Sequence, residues 1–547
     1  MERSPTAPAA VSAPKIANPR RFCSGDMIEF ATQPQWQLPA TFSEAVARLA
    51  AFAQQLSPWE AAVVAAYLTV MAVLSLYGLH RAYLVVLYFR HAQQAAQEVA
   101  PPADLPAVLV QLPLYNEPYV VEELLAAVSR LDYPRDRFHI QVLDDSTDDT
   151  TALARRAVAH LREAGISADL LHRDNRLGYK AGALAAGLAQ SDAPVVALFD
   201  ADFLPECDFL LRTVGVFSDP QVGAVQARWS FRNRDASLLT RVQGMLLDAH
   251  FVFEQGGRSR ASRFFNFNGT AGVLRRNMID DAGGWQHDTL TEDTDLSYRA
   301  QLQGWRYVYL QHVAVPSELP DDVPSFHVQQ ARWAKGLVQT GLKLLPTIFR
   351  APVSFAVKSE AFFHLTANIS YPLMTLLAAL LIPATIIRFN SPEPWLILLD
   401  APVFLATFGS MASFYLLSHR QLTGRVTWRD ALLFPATLSA GIGLTISNTQ
   451  AVLEALLGVQ TPFQRTAKRI YHVEPNQLPW ANLAAGLYFL AGFLYTASIG
   501  NWPLLPFLAL FVVGFLWAAL PSRATGPGDA YLTPQPYARL PPSEPRL

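Results

Sequence analysis

The uneven placement of apolar residues constrains this chain more than any other feature. Trp59 to Phe89 is almost continuously apolar, interrupted by Glu60, His80 and Arg81. Long apolar runs return only after residue 360, and the stretch between has the mixed composition of a soluble domain. A helix of about 20 predominantly apolar residues crosses the hydrocarbon core of a bilayer. The chain is therefore expected to hold a soluble domain between membrane-spanning helices. Charged residues make up 16% of the chain, against about 25% in ordinary soluble domains, and the deficit lies in these runs. Arg90 and His91 follow the first run and favour a cytosolic end there.

Four further spans are expected at Leu365–Ile387, Trp395–Leu417, Trp480–Ile499 and Trp502–Leu520. The loop Ser418–Asp430 carries Arg420, Arg425 and Arg429 and reads as cytosolic. Ala331–Phe349 sets Arg332, Lys335 and Lys343 among apolar residues, the pattern of a helix lying in the membrane interface. Residues 431–457 are ambiguous, because Ser439, Ser447, Asn448, Thr449, Gln450 and Glu454 interrupt them. Crossing would put Arg465, Lys468 and Arg469 outside; lying in the interface keeps them inside, and this second reading is favoured. Five spans then put the N-terminus outside and the C-terminus in the cytosol.

The expected division is a partly disordered segment at 1–58, a first span at 59–91 and a cytosolic domain at 105–330. Interfacial helices follow at 331–364, then a transmembrane region at 365–520 and a Pro-rich disordered tail at 521–547. Within the first segment, Thr41–Leu56 has helical amphipathic spacing. No early apolar core precedes a cleavage site, so no secretory signal is expected. The net charge of −2 carries no signal for nucleic acid. Cys23 and Cys207 provide neither a disulfide framework nor a Cys-rich metal site.

In the soluble domain, strands are expected at Ala107–Leu112, Ile140–Leu143, Leu170–His172 and Val195–Phe199. Helices are expected at Tyr119–Arg130, Asp149–Ala164 and Lys180–Gln190. Repeated strand–helix units imply a mostly parallel sheet covered on both faces, an α/β fold. Polar residues cluster just after each strand: Asn116 and Glu117, Asp144 and Asp145, Asp174 and Asn175, Asp200 and Asp202. That edge is where ligands bind in open α/β sheets.

Asp200-Ala201-Asp202 sits at the end of an apolar strand, where paired carboxylates can hold a divalent cation and through it a pyrophosphate. A turn capping the strand would use the same residues. Asp145 can accept hydrogen bonds from a nucleobase or ribose, and Ser146 or Asp148 can cap the following helix. Thr291-Glu292-Asp293 offers a carboxylate able to take a proton from a hydroxyl, or simply opens a helix. In Gln329-Gln330-Ala331-Arg332-Trp333, an arginine can neutralise a diphosphate and an indole face can pack on a sugar ring. A snorkelling arginine beside an interfacial tryptophan would look alike.

In this order and spacing, the motifs resemble the processive family 2 glycosyltransferases, which include cellulose, hyaluronan and chitin synthases. Gln111-Leu112-Pro113-Leu114-Tyr115-Asn116-Glu117, Arg176-Leu177-Gly178-Tyr179-Lys180-Ala181-Gly182-Ala183-Leu184 and Phe267-Asn268-Gly269-Thr270-Ala271-Gly272 add to the likeness. So do Gly283-Gly284-Trp285 and Glu318-Leu319-Pro320. Within that family the chain is most similar to the cellulose-synthase-like group of plant mannan and glucan synthases and their bacterial relatives. The likeness is specific over about 105–345 and looser to 520.

The resemblance implies a GT-A type domain inserted between transmembrane helices. Asp145, Asn116 and Glu117 would serve the nucleotide, with Lys180 near the diphosphate. Asp200 and Asp202 would bind the diphosphate through Mg2+ or Mn2+. Asp293 would be the general base, flanked by Thr291 and Glu292. Arg332 would bind the diphosphate, while Trp333, Phe267, Asn268, Gly269 and Thr270 would serve the acceptor. Phe463-Gln464-Arg465-Thr466-Ala467-Lys468, within 459–470, matches the Phe-x-Val-Thr-x-Lys gating loop of cellulose synthases except for Arg at the Val position. Phe463, Thr466 and Lys468 would carry that gate.

The implied function is a processive inverting glycosyltransferase in a bacterial inner membrane. It would polymerise a β-linked hexose from UDP-glucose or GDP-mannose onto a growing glycan and pass it across the lipid. Asn368, Ser370, Ser410, Ser413, Asn482 and Tyr488 could line the route, or serve helix packing. A non-processive enzyme acting on a lipid, and a transporter with a nucleotide-sensing domain, are the alternatives.

Overall fold

The computed structural model describes residues 39–391, 396, 400–461 and 479–520. The gating-like residues Phe463, Thr466 and Lys468 lie outside the described residues, as does the 521–547 tail. The soluble domain is built on a seven-stranded sheet. Its strands are β1 (Val108–Leu114), β2 (Phe138–Asp144), β3 (Ala168–His172), β4 (Val195–Leu198), β5 (Val222–Phe231), β6 (Gly272–Arg275) and β7 (Arg306–Ser317). They lie in the order β3-β2-β1-β4-β6-β5-β7. β6 runs antiparallel to β4 and β5, and the other pairs are parallel.

The first four strands and three helices fall within two residues of their expected bounds. β5, β6 and β7 were not anticipated. β6 has four residues and follows a glycine-containing loop, so it is too short to show a period. β7 does alternate buried and more exposed positions, the pattern of a half-covered strand.

Helices cover both faces, and strand alternation assigns each side chain to one layer. Val108, Val110 and Leu112 pack under the helices Val121–Ser129 and Thr150–Glu163. Leu109, Leu143, Val196 and Leu198 face the helix Tyr179–Leu188. Gln111 also belongs to that second layer and is fully buried. Its amide donates to Gln141 Oε1 (2.9 Å) and Leu184 O (3.2 Å), and Gln141 donates to Gly187 O (3.0 Å). Such pairing offsets much of the cost of burying the two amides, although Gln111 Oε1 stays without a partner. The chain runs from β1 to β2 and β3 on one side, then returns to β4 on the other. The loops after β1, β2 and β4 therefore meet at a topological switch point.

Three helical stretches are long and apolar enough to cross a membrane: Pro58–Arg90, Phe355–Phe389 and Asp400–Thr423. Trp428–Gly443 and Thr445–Leu456 meet at a 44° bend, and neither limb reaches the ~20 residues that span a bilayer. With the apolar helices Pro479–Ser498 and Leu505–Ala518, the arrangement is consistent with about five crossings. Among the residues considered for a polar route, Ser410 donates to Gly78 O (2.5 Å) and accepts from Ala82 N (3.0 Å). Tyr488 donates to Ala379 O (3.1 Å). Both are engaged in helix–helix packing.

The soluble domain is tied to the spans through a continuous helical stretch. Leu238–Ala249 passes through a π-helical turn, His250–Gln255, into Gly256–Arg260. Arg258 donates to Glu360 (2.9 Å) on the Phe355–Phe389 stretch, and Glu360 meets His80 of the first span at 2.9 Å.

Gly187 is the tightest contact of the Tyr179–Leu188 helix with the sheet. A Cβ there would stand 2.3 Å from Gln141 Oε1 and 2.5 Å from Leu143 Cδ2. Gly187→Ala is expected to destabilise the protein by about 1–3 kcal/mol, read as a lower thermal midpoint in detergent. An unchanged midpoint would contradict this packing.

Candidate active site

The switch-point edge gathers the charged residues. Asn116 adopts a left-handed backbone (φ 52°) just past β1, a conformation Asn tolerates better than most residues. Its backbone N–H donates to Ser146 Oγ (2.9 Å), and its side chain accepts from Thr147 N (2.8 Å), joining the loops after β1 and β2. Asp145 receives two hydrogen bonds from Arg173, at 2.7 and 2.5 Å. The neighbouring Asp144 is fully buried and accepts from Ser146 N, Thr151 Oγ1 and His172.

Arg173 was not anticipated. It lies in the mixed run His172-Arg173-Asp174-Asn175-Arg176, and nothing in that pattern says which charge turns inward. In the turn after it, Gly178 has φ +72° and opens the helix that carries Lys180. Arg173 Nη2 also donates to Tyr179 O (3.0 Å), fixing the start of that helix.

Asp200 and Asp202 follow β4 directly. Asp200 N donates to Thr270 Oγ1 (2.8 Å), and Asp202 accepts from Glu318 N (3.3 Å). Lys180 Nζ stands 2.5 Å from Asp200 Oδ1 and 2.9 Å from Gly269 O. Burial alone would depress the Lys180 ammonium, but Asp200, Glu292 and Asp293 outweigh it and hold its pKa above the usual value. Asp200 thus already faces a cation.

Among the described residues, no three His, Cys, Asp or Glu side chains converge as a metal cluster. Two carboxylates fit a divalent ion that takes its remaining oxygens from a diphosphate and water, as magnesium commonly does.

Thr291-Glu292-Asp293 opens the helix Glu292–Leu302. The helix Val323–Arg350, which carries Gln329 through Trp333, packs against this opening. A Cβ on Gly336 would lie 2.6 Å from Thr291 Cγ2, and Thr291 Oγ1 meets Thr340 Oγ1 at 3.2 Å. Gly269 sits opposite Asp293 with φ +79°, and a Cβ there would lie 2.8 Å from Asp293 Oδ2. The glycine meets two requirements, a left-handed backbone and room for the carboxylate.

Burial and the adjacent Glu292 push the Asp293 carboxyl up to about 7, against the pull of Lys180, the Thr294 N–H and Arg332. Burial lowers the Arg332 guanidinium, while Glu292, Asp293 and Asp200 raise it. Lys180, Asp200, Glu292, Asp293 and Arg332 thus form one electrostatic unit.

Trp333 stands beside Trp229, with ring centroids 6.4 Å apart. The loop residues read as acceptor-binding divide. Gly269 faces Asp293. Asn268 is held by Gln255 and by His250 (2.9 Å). Phe267 is 1% exposed and Thr270 is fully buried, so both side chains lie under the loop surface. Any part these two play toward an acceptor is therefore through the packing of the loop. Phe267 fills the space over Gly272, where a Cβ would meet its ring at 2.6 Å, and Thr270 positions Asp200. His250, on the π-helical turn, is the polar neighbour of Asn268 that sequence reasoning missed. Its surroundings, Phe251-Val252-Phe253, read as plain apolar helix.

A carboxyl raised above its unfolded value favours folding in its protonated form, and that contribution is lost as pH climbs from the unfolded pKa near 4 through about 7. Asp293→Asn removes the ionisation. The variant is expected to gain stability over the parent between pH 5 and 8, by roughly 1–2 kcal/mol after allowing for partial solvent access. Thermal midpoints at the two pH values check this; a gap that does not widen with pH would contradict it.

Comparison with known proteins matches this arrangement to a family. The family described as "Glycosyltransferase like family 2" matches residues 106–336. Glucomannan 4-beta-mannosyltransferase 7 of Arabidopsis thaliana is 35% identical over 438 residues, covering 76% of this chain and 77% of that protein. Glucomannan 4-beta-mannosyltransferase 1 of Oryza sativa subsp. japonica is 42% identical over 290 residues, 51% of this chain and 56% of that protein. Probable glucomannan 4-beta-mannosyltransferase 11 of the same plant is 46% identical over 248 residues, 44% of each. The chain thus spans about half the length of the rice relatives and three quarters of the Arabidopsis one. Among solved structures, mannosyltransferase PcManGT from Pyrobaculum calidifontis, in complex with GDP-Man and Mn2+, aligns with a TM-score of 0.49 at 23% identity. It covers 66% of this chain and 100% of that one. With its GT-A type sheet and a domain matched across the whole switch-point edge, the chain belongs to glycosyltransferase family 2.

Proposed function

We propose that this protein is a membrane-embedded, inverting, processive glycosyltransferase that extends a β-1,4-linked mannan or glucomannan from nucleotide-activated mannose. The observation that carries the reading is the Asp293 carboxyl, raised to about 7, set against Gly269 and within the fields of Lys180 and Arg332. Inversion in one displacement needs a single base to take the acceptor hydroxyl's proton, and a base titrating near the working pH suits that task. Lys180 and Arg332 offset charge that grows on the leaving diphosphate. Asp145, positioned by Arg173, and Asn116 and Glu117 serve the nucleotide. Trp333 offers an aromatic face to the acceptor sugar.

Asp200 and Asp202 would hold Mg2+ or Mn2+, which supplies further charge neutralisation at the diphosphate when bound. The names of the plant relatives favour mannose over glucose as the transferred sugar, with GDP-mannose the natural donor to try first. The arginines at 420, 425 and 429 support a cytosolic site, with the glycan leaving through the 365–520 region. On this reading the segment 459–470 serves as its gate.

The test is purified protein in lipid nanodiscs with radiolabelled GDP-mannose or UDP-glucose, followed by linkage-specific digestion. A labelled ladder or polymer from GDP-mannose, degraded by endo-β-1,4-mannanase, is expected. A single sugar on a lipid, or no mannosyl transfer, would overturn the proposal. Asp293→Asn is expected to lower transfer about 100-fold or more while nucleotide binding persists; unchanged transfer would remove Asp293 as the base.

A further inference from the structure

A cavity of about 330 Å³ lies away from the switch-point edge, where the sheet meets the membrane helices. Its walls include Ala95 to Gln97, just past the Pro58–Arg90 helix, and Gln421 and Leu422 at the end of Asp400–Thr423. The remaining wall comes from a bulge in the sheet. Ala227 pairs with Leu310 but Arg228 pairs with Ala314, so Gln311, His312 and Val313 are extra residues on β7. Bulges re-aim side chains out of a regular ladder.

Two arginines line this cavity. Arg228 donates to Gln311 O (3.1 Å) and Trp229 O (3.2 Å). Arg260 lies 3.5 Å over the Tyr88 ring and donates to Tyr88 O (3.2 Å) and Gln311 Oε1 (3.3 Å). Among the described residues, neither arginine has a carboxylate partner at ion-pair distance, and no Asp or Glu lines the cavity. The nearby acids are committed: Glu98 to Arg212 and His312, and Asp248 to Arg234.

Tyr309 supplies a second, independent sign. It is 3% exposed, lines the cavity, and its hydroxyl has no hydrogen-bond partner. Burial keeps that phenol protonated, with Arg228 and Arg260 among its electrostatic neighbours. A buried donor without an acceptor is costly, and here it stands beside two cations without counter-charges.

We propose that this cavity binds the phosphate of an anionic phospholipid from the cytosolic leaflet. Arg228, Arg260 and the Tyr309 hydroxyl would meet the phosphate oxygens. Two walls are the ends of membrane-crossing helices, so a headgroup reaches the cavity without leaving the bilayer surface. Basic pockets at such positions take anionic headgroups. The lipid would brace β5 from the side opposite the active site, since Trp229, next to Arg228, packs against Trp333. The inference is independent of which sugar the enzyme transfers.

The test uses the full chain, delipidated in detergent and titrated with phosphatidylglycerol or phosphatidylcholine, with bound lipid counted by native mass spectrometry. One phosphatidylglycerol per chain is expected to resist removal. The Arg228→Gln/Arg260→Gln variant is expected to bind it about tenfold more weakly. Gln97→Glu, at an exposed wall position where the fold is not at stake, is expected to do the same by adding negative charge. Phosphatidylcholine binding is expected to be equal in all three proteins. Undiminished phosphatidylglycerol binding in Gln97→Glu would overturn the proposal. Displacement of the lipid by millimolar inorganic phosphate would also overturn it, by marking a site for a soluble anion.

Discussion

Two cations, Lys180 and Arg332, hold three carboxylates at one edge of the sheet, and the rest of the molecule is arranged around that balance. Asp200, Glu292 and Asp293 come from two distant parts of the chain, and their mutual repulsion would drive them apart without Lys180 and Arg332 among them. Lys180 depends on the helix that Gly178 opens and Arg173 anchors. Arg332 depends on the helix that Gly336 lets approach Thr291. The balance is incomplete at Asp293, which keeps its raised pKa because burial and Glu292 oppose the two cations. A carboxyl poised near neutral pH is suited to exchanging a proton, whereas a fully neutralised one would be only a structural anion.

The same helix joins chemistry to membrane. Val323–Arg350 carries Arg332 and Trp333, and two residues on, Lys335 meets Glu454 and Thr461, each at 2.8 Å. Glu454 lies on Thr445–Leu456, the second limb of the bent pair. The bent pair is thus tied by an ion pair to the helix that carries the residues beside the site. Arg388 and Asp400, paired twice at 2.8 Å with Tyr67 on the same carboxylate, clip three membrane segments together at a buried position. A buried pair of this kind fixes register more than it adds stability.

Much of this was legible in the amino-acid order, for a physical reason. Buried parallel strands are continuous apolar runs, and the polar residues that end them lie at one edge, so Asp145, Asp200 and Asp202 announce themselves. Thr291-Glu292-Asp293 and Arg332-Trp333 gained meaning only through their order and family resemblance. Features set by backbone geometry stayed hidden. Arg173 reaches Asp145 and Tyr179 O from a run of mixed charge, and the π-helical turn brings His250 to Asn268. The motif around Phe267 and Thr270 does not tell which side chains face inward, and both are buried. The bulge at Arg228 is likewise invisible, since it exists only as a register shift between strands far apart in sequence.

The most direct test of the account is the single-turnover rate of sugar transfer from the nucleotide donor, measured from pH 5.5 to 8.5. With Asp293 as the base, the rate is expected to climb about tenfold per pH unit on the acid side and level off near pH 7. The residual rate of Asp293→Asn is expected to lose that limb. A parent rate that is flat across the range, or the same limb in Asp293→Asn, would contradict the account.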